Sequence, residues 1–396
     1  MESNTTTTDL PVLIIGTGVA GLTLAQGLRL RSVPFRLFER HAQSHSAQGH
    51  RFRISGQGRA ALDSVLSPQL QKVFQRTAPE IGSAPRYVDA RKLNFPDPTP
   101  ADPEAMPLDR SWIRALTLLG IVDAVEYEKA FEAYEIVDGQ VRARFTDGSV
   151  VLGQFLVGAD GIQSRVRKQL QPDRKLLDLE RCVMWGRTPL TEAVRARLRP
   201  ELLSWCMYHD YEANVQAVVE PMIWAESGLQ ELQDRLPEFS NYVYWVVCTA
   251  PGQYSAVLPK TTQEKKYLLG QVTETWHPDL KVLFNLAAHE LSACAPVLSS
   301  KPDIELRWAG QTGRVTLVGD AAHPMSPMGG SGADTAISNA ADLALTIAEK
   351  GVTKKDMIEY EARMEDRAKV KLEHSFRGGQ KFWHGKEWTE YAPAGM

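Results

Sequence analysis

The run Val12-Leu13-Ile14-Ile15-Gly16-Thr17-Gly18-Val19-Ala20-Gly21 decides how this chain is read. Four apolar residues predict a short buried strand, the glycines follow at once, and Ala20 to Arg31 carries a helical pattern. Each glycine has a mechanical reason: Gly16 makes the turn, Gly18 lets a pyrophosphate approach the backbone, and Gly21 lets the helix pack closely on the strand. The helix N-terminus then offers free N–H groups and a positive dipole end to phosphates. A second apolar segment, Val33 to Phe38, ends in Glu39 and completes a β-α-β unit with a right-handed crossover. The Glu39 carboxylate is expected to accept hydrogen bonds from an adenosine ribose and to repel a 2'-phosphate, which favours FAD or NAD over NADP. Arg40 beside it is counted with the cofactor contacts. The competing reading, a merely tight strand–helix turn, is weakened by the strand, helix and acid occurring together.

A second glycine run, Gly56-Gln57-Gly58-Arg59-Ala60-Ala61, superficially repeats the fingerprint. No clear apolar strand precedes it and no acid-terminated strand follows, so it is read as a helix N-terminus. The distinction matters because a second nucleotide fold would imply a separate pyridine-nucleotide domain.

Outward from this unit the chain reads as two lobes that exchange segments, since 396 residues are about two to three times a typical domain. Leu93 to Pro107 carries five prolines and is read as an irregular lobe crossing. Val141 to Asp160 reads as strand, Asp147-Gly148 turn, strand. From about Cys182 to Leu306 the α/β rhythm is lost, and strand-like runs such as Tyr242 to Val247 predict an antiparallel sheet. Arg314 to Asp320 returns to a buried parallel strand, and Ala333 to Lys350 follows as a helix ended by Gly351. The expected fold is therefore α/β: a Rossmann-like FAD-binding domain from residues 1–75, 105–178 and 307–350, and a discontinuous second domain on an antiparallel β-sheet from 76–104 and 179–306. Residues 351–396 are read as a C-terminal helical segment.

Composition narrows the partners. A formal charge of −3 with dispersed Lys and Arg supplies no basic field for a phosphate backbone, so nucleic acid is not an expected partner. Cys182, Cys206, Cys248 and Cys294 are far apart, without metal-ligand spacing, and read as buried free thiols in a reducing compartment. No stretch approaches the roughly 18 apolar residues of a membrane span. Met1 to Asp9 lacks the charged start and apolar run of a signal peptide, so a cytoplasmic location is expected and the Asn4-Thr5-Thr6 sequon is read as accidental.

Two later loops complete the pattern. One is Gly158-Ala159-Asp160-Gly161-Ile162-Gln163-Ser164-Arg165-Val166-Arg167. The other is Gly319-Asp320-Ala321-Ala322-His323-Pro324, continuing through Pro327-Met328-Gly329-Gly330-Ser331-Gly332-Ala333-Asp334. With these three motifs in order and spacing, the sequence from about Leu10 to Arg367 resembles the FAD-dependent aromatic hydroxylases related to p-hydroxybenzoate and salicylate hydroxylases, particularly their fungal secondary-metabolism branch. The resemblance implies that Asp160 and Gly161 serve FAD and pyridine nucleotide together, with Ser164 and Arg167 at less exclusive positions. It also implies that Gly319 and Asp320 serve the flavin ribityl chain. The segment Leu108 to Leu116 is similar to the family segment whose first arginine reaches FAD, which assigns that role to Arg110, with Arg114 in support. The turn at Pro327 and the loop through Gly330, Gly332 and Ala333 are placed beside the isoalloxazine ring, with Pro327 at the flavin edge. Independently of the family, a carboxylate ending a buried strand needs a partner, because an unpaired buried charge is expensive. A ribityl hydroxyl would supply one for Asp320.

What the resemblance implies chemically is non-covalent FAD reduced by NADPH or NADH, with dioxygen supplying one oxygen atom to an electron-rich small molecule, aromatic or polycyclic. The products would come from hydroxylation, epoxidation or a related insertion. Asp334 departs from the family, which usually has Asn there. A carboxylate near an anionic reduced flavin is unfavourable unless it is turned away, protonated or paired. Aromatic residues of the second lobe (Trp205, Tyr208, Tyr211, Trp224, Tyr242, Tyr244, Trp245, Tyr254) suit a planar substrate but equally suit plain sheet core. Tyr208 and His209 are weak candidates for a catalytic base. The alternatives are an oxidase or dehydrogenase, a redox-neutral cyclase or isomerase on the same fold, and a non-catalytic FAD-binding protein. A halogenase is disfavoured because no Trp-x-Trp-x-Ile-Pro segment is present.

Overall fold

The computed structural model describes residues 10–44, 51–82, 84–225, 236, 239–253, 258–308, 310 and 313–395. Tyr254 and the Asn4 sequon fall outside them. The opening run folds as strand Val12–Ile15 and helix Val19–Leu30. That strand is the middle of a five-stranded, wholly parallel sheet, ordered Val315–Leu317, Phe155–Gly158, Val12–Ile15, Phe35–Phe38, Val125–Glu126. Val12, Leu13 and Ile14 are fully buried, as expected of a parallel strand covered on both faces. Ile15 pairs with Gly158 and Phe38, and Gly158 with Leu317. The loops following these strands therefore leave one edge of the sheet together, where open α/β sheets bind ligands.

The second lobe holds a six-stranded sheet, ordered Ala293–Ser299, Leu177–Pro189, Tyr242–Cys248, Val215–Met222, Cys206–Asp210, Arg86–Asp89. Four pairings are antiparallel, and the edge strand Arg86–Asp89 adds in parallel. Its side chains alternate with period two. Met184, Val243, Trp245, Val219, Ala217 and Tyr208 join a core with helices Thr262–Val272 and Pro278–Asn285. The opposite face turns to the cofactor lobe. There Glu220 meets Arg51 and Arg53 of the ribbon Arg51–Ile54/Met106–Asp109, and the Tyr242 hydroxyl donates to Asp109 at 2.6 Å.

Helix Lys354–Trp383 ties the lobes together over thirty residues. Met357, Tyr360 and Met364 pack in the core of the parallel sheet, while Phe376 and Trp383 pack against Val183 and Cys248 of the second sheet. Two buried carboxylates make the first attachment: Glu361 accepts from the Trp308 amide at 2.9 Å and Glu365 from the Leu306 amide at 2.8 Å. At the far end the buried Arg181 donates to the carbonyls of Trp383 and Thr249. Among the described residues, no helix is long and apolar enough to cross a membrane.

Candidate functional site

The three glycines of the opening run have three different surroundings. A Cβ on Gly16, which sits at φ +108°, would lie 2.4 Å from the Ala159 carbonyl oxygen, and one on Gly21 would lie 2.1 Å from the Gly16 carbonyl oxygen. A Cβ on Gly18 would meet nothing within 4 Å. Gly16 and Gly21 are thus needed by the fold, whereas Gly18 faces open space. That space is a cavity of about 370 Å³, lined by Thr17, Gly18, Glu39, Arg40, Phe52, Arg110 and Arg114, among others.

Glu39 is fixed at its wall. Its carboxylate accepts from the Thr17 hydroxyl at 2.7 Å, the Thr17 amide at 3.2 Å and the His41 amide at 3.0 Å. Burial pushes its pKa up, but these hydrogen bonds outweigh it and hold the group below the usual carboxylate range. Arg114 donates to the Thr17 hydroxyl at 3.2 Å, while the Arg110 guanidinium stands 5.5 Å over the Phe52 ring. An acid and three arginines around an open backbone glycine suit the adenosine and diphosphate portions of FAD.

The later loops border the same edge, and each sequence-predicted residue has a definite place. Asp160 accepts from the Arg165 amide at 2.7 Å, the Val166 amide at 3.3 Å and the Ser164 hydroxyl, so it caps the helix Arg165–Leu170. Gly161 sits beside it with open space at its α-carbon. Arg167 is buried and donates to the carbonyls of Asp320 and Ala321 at 3.1 and 3.0 Å, locking this loop to the one after Leu317.

Asp320 requires a correction. It lies past its strand on the turn Gly319–Ala321, and its side chain is exposed rather than buried in dry protein. Surrounding protein still raises its carboxyl pKa against the fields of Arg110 and Arg167. The carboxylate has no hydrogen-bond partner among the described residues. Beyond it, Pro327–Gly329 forms a single turn, Gly330 follows, and helix Gly332–Lys350 begins with Ala333 in its first turn. The first amides of this helix have no partner within it.

Asp334 is turned away and paired. It accepts from the Ser55 amide at 2.9 Å and from the Ser55 hydroxyl at 3.0 Å. Ser55 caps helix Gly56–Asp63, which is the second glycine run, and a Cβ on Gly58 would lie 1.8 Å from Asp334 Oδ1. Two sequence puzzles thus answer each other, because the second run is the socket for the unusual carboxylate. Asn339 lies behind, fully buried, with Nδ2 2.9 Å from His323 Nε2. Burial pulls the His323 pKa down to about 4.

The candidate bases are placed elsewhere. Tyr208 is sealed among the helices behind the second sheet. His209 is 5 % exposed, stacked on Tyr211 at 5.3 Å with Phe382 edge-on at 4.6 Å, and burial pulls its pKa down to about 4. The structure brings neither to the flavin loop. What the sequence reading did not single out is a row across the second sheet. Trp185, Val246, Val218 and Met207 are cross-strand partners in succession. All four are half-buried, between fully buried neighbours along each strand. Trp185 and Val246 pack on a cluster that also includes Met328 of the Pro327–Gly329 turn. The strip is apolar along its length, and its Trp185–Val246 end meets the Pro327–Gly329 turn through that cluster. No single-strand pattern announces it, because it exists only once four strands are in register.

This geometry is the two-lobed fold of FAD-dependent hydroxylases, and comparisons with known proteins agree on it. Residues 306–373 match the family described as FAD binding domain. A dual O-methyltransferase/FAD-dependent monooxygenase of Cercospora beticola is 30 % identical over 414 residues, covering 95 % of this chain and 46 % of that protein. An FAD-dependent monooxygenase of Penicillium herquei is 26 % identical over 386 residues, covering 93 % and 90 %. A crystal structure assigned as an FAD-containing monooxygenase of Photorhabdus luminescens superposes with a TM-score of 0.80 at 26 % identity, covering 95 % and 99 %. In sequence and fold the chain is similar to FAD-dependent monooxygenases, fungal ones among them, and it carries part of an FAD binding domain. It spans about half the length of the curated relatives it matches first.

Proposed function

We propose that the chain uses NADPH or NADH and dioxygen to insert one oxygen atom into an aromatic or polycyclic small molecule, in fungal secondary metabolism. The observation that carries this reading is the apolar strip Trp185–Val246–Val218–Met207 on the sheet face turned to the cofactor lobe, with Trp185 and Val246 packed on one cluster with Met328 of the Pro327–Gly329 turn. Non-covalent FAD, when bound, supplies the transfer of reducing equivalents and the activation of oxygen. Glu39 would hold the adenosine ribose, Arg40, Arg110 and Arg114 the diphosphate, and Asp320 a ribityl hydroxyl. The free amides of Gly332 and Ala333, at the positive end of a nineteen-residue helix, would stabilise negative charge on the reduced ring. The strip would orient the substrate and keep water from the reacting face.

With pyridine nucleotide and substrate sharing one flavin, the two must take turns, and a loop or the ring must move between them. Substrate is therefore expected to accelerate flavin reduction by NAD(P)H, and ¹⁸O-labelled dioxygen to leave one labelled atom in the product. Label found only in water or peroxide would establish an oxidase. Product formed without oxygen would establish a dehydrogenase or isomerase.

A further inference from the structure

One long side of the apolar strip is bordered by charge. Two residues along each strand, and so roughly 7 Å away, runs the parallel row Arg187, Tyr244, Glu220. Over it sit Arg51 and Arg53, both ion-paired to Glu220, with side chains only 10 %, 12 % and 1 % exposed respectively. Aromatic faces wall the group: Arg51 stands 5.5 Å over Tyr244 and 5.9 Å over Trp205, and Arg53 stands 4.1 Å over Trp205. Arg53 also donates to the Ala105 carbonyl at 2.7 Å, but Arg51 Nε has no hydrogen-bond partner among the described residues. Phe52, between the two arginines, points to the opposite side of the ribbon and lines the cofactor cavity. One short strand thus separates the cofactor cavity from the charged side of the strip.

Two guanidiniums share Glu220 in a nearly dry place, and Asp102 acts on Arg53 but not on Arg51, which leaves Arg51 the less compensated of the two. Burial pulls the Arg51 pKa down to about 9 and that of Arg53 to about 10, so both remain charged at neutral pH. An undercompensated charge of this kind is expensive, and a second anion would relieve it. The four positions of the strip span about 14 Å at the spacing of neighbouring strands, enough for two or three fused rings.

We infer that Arg51, backed by Arg53 and Glu220, determines substrate choice by receiving an anionic oxygen carried at one edge of a flat aromatic molecule lying on the Trp185–Val246–Val218–Met207 strip. This inference rests on the proposed oxygenation, and its test is read separately from it. Calorimetry on the FAD-loaded protein with 2-naphthoate and methyl 2-naphthoate isolates the charge. The acid is expected to bind roughly tenfold or more tightly than its ester, and Arg51→Gln to abolish that preference while leaving ester affinity and bound flavin unchanged. Glu220→Gln acts in the opposite sense. By removing the competing carboxylate it is expected to tighten 2-naphthoate several-fold, a gain that misfolding does not produce. A third probe, 2-naphthol, identifies the source of the charge: binding with the ground-state absorption of its anion at neutral pH marks an ionised phenol, and preference confined to 2-naphthoate marks a carboxylate. Equal binding of acid and ester, no binding of either, a preference surviving Arg51→Gln, or loosening in Glu220→Gln would each overturn the assignment. Loss of the oxygen label from product would instead overturn the oxygenation and leave these affinities standing.

Discussion

The cofactor edge and the six-stranded sheet of the second lobe are built on different kinds of information. At the cofactor edge the meaning of a residue lies in its immediate neighbours along the chain: Gly16, Gly18 and Gly21 fall within six positions, and the structure gives each a different environment. On the second sheet, meaning lies across the chain. Val218 and Val219 are adjacent and chemically identical, yet one is half-buried on the face turned to the cofactor lobe and the other is sealed against helices. The first region is encoded by local backbone demands and the second by register, so each fails in its own way when altered.

The strongest test of that contrast is a pair of substitutions on the sheet. Val219→Asp places a carboxylate in a fully buried core with no partner and is expected to cost about 3 to 5 kcal/mol, enough to unfold much of the protein. Val218→Asp places it on the half-buried strip, where water can reach it. This variant is expected to fold, to retain flavin and to lose turnover. Urea unfolding and released-flavin measurements distinguish the two, and equal destabilisation would show that the faces are not functionally distinct.

The corresponding pair at the cofactor edge is smaller and reverses the logic. Gly21→Ala drives a Cβ to 2.1 Å from backbone, so stability is expected to fall by roughly 1 to 3 kcal/mol, the usual range for overpacking. Gly18→Ala meets no protein atom within 4 Å, and Gly18 already has an extended backbone at φ −72°. Its melting temperature without flavin should match wild type while FAD affinity falls tenfold or more. Unchanged FAD affinity would remove the backbone of Gly18 from the phosphate contact.

The same contrast explains what could be read from the sequence. The strand–loop–helix at Val12 to Leu30, the hairpin at Asp147-Gly148 and the capped start of helix Gly56–Asp63 all rest on local rules, and the structure contains them. The resemblance to FAD-dependent hydroxylases rested on contiguous motifs in the same way. The apolar strip, the Arg51–Glu220 pair separated by 169 positions, and the Asp109–Tyr242 bond between lobes had no local signature. The exposure of the Asp320 side chain was missed for a related reason. Sequence shows that a buried strand precedes it, but whether the next turn is open to solvent depends on loops from two other parts of the chain.

Asp334 gives the finest test, because it belongs to both kinds of information at once. By position it lies in the first turn of the flavin-loop helix, where a carboxylate aimed at the ring would oppose its reduction. By long-range contact it is held away, with its oxygens on the Ser55 amide and hydroxyl and Gly58 packed against it. Asp334→Asn keeps a carbonyl oxygen for the Ser55 amide, and the new amide group can donate to the Ser55 oxygen. What disappears is a negative charge beside the N-terminus of helix Gly56–Asp63, worth about 0.3 to 1 kcal/mol. The expected result is a slightly lower melting temperature, unchanged flavin content and an unchanged flavin midpoint potential. If the carboxylate faced the ring instead, its removal would raise the potential. For a two-electron couple a rise of about 30 mV corresponds to about 1.4 kcal/mol of released repulsion. A rise of that size in a spectroelectrochemical titration would refute the Ser55 contact as the resting place of Asp334.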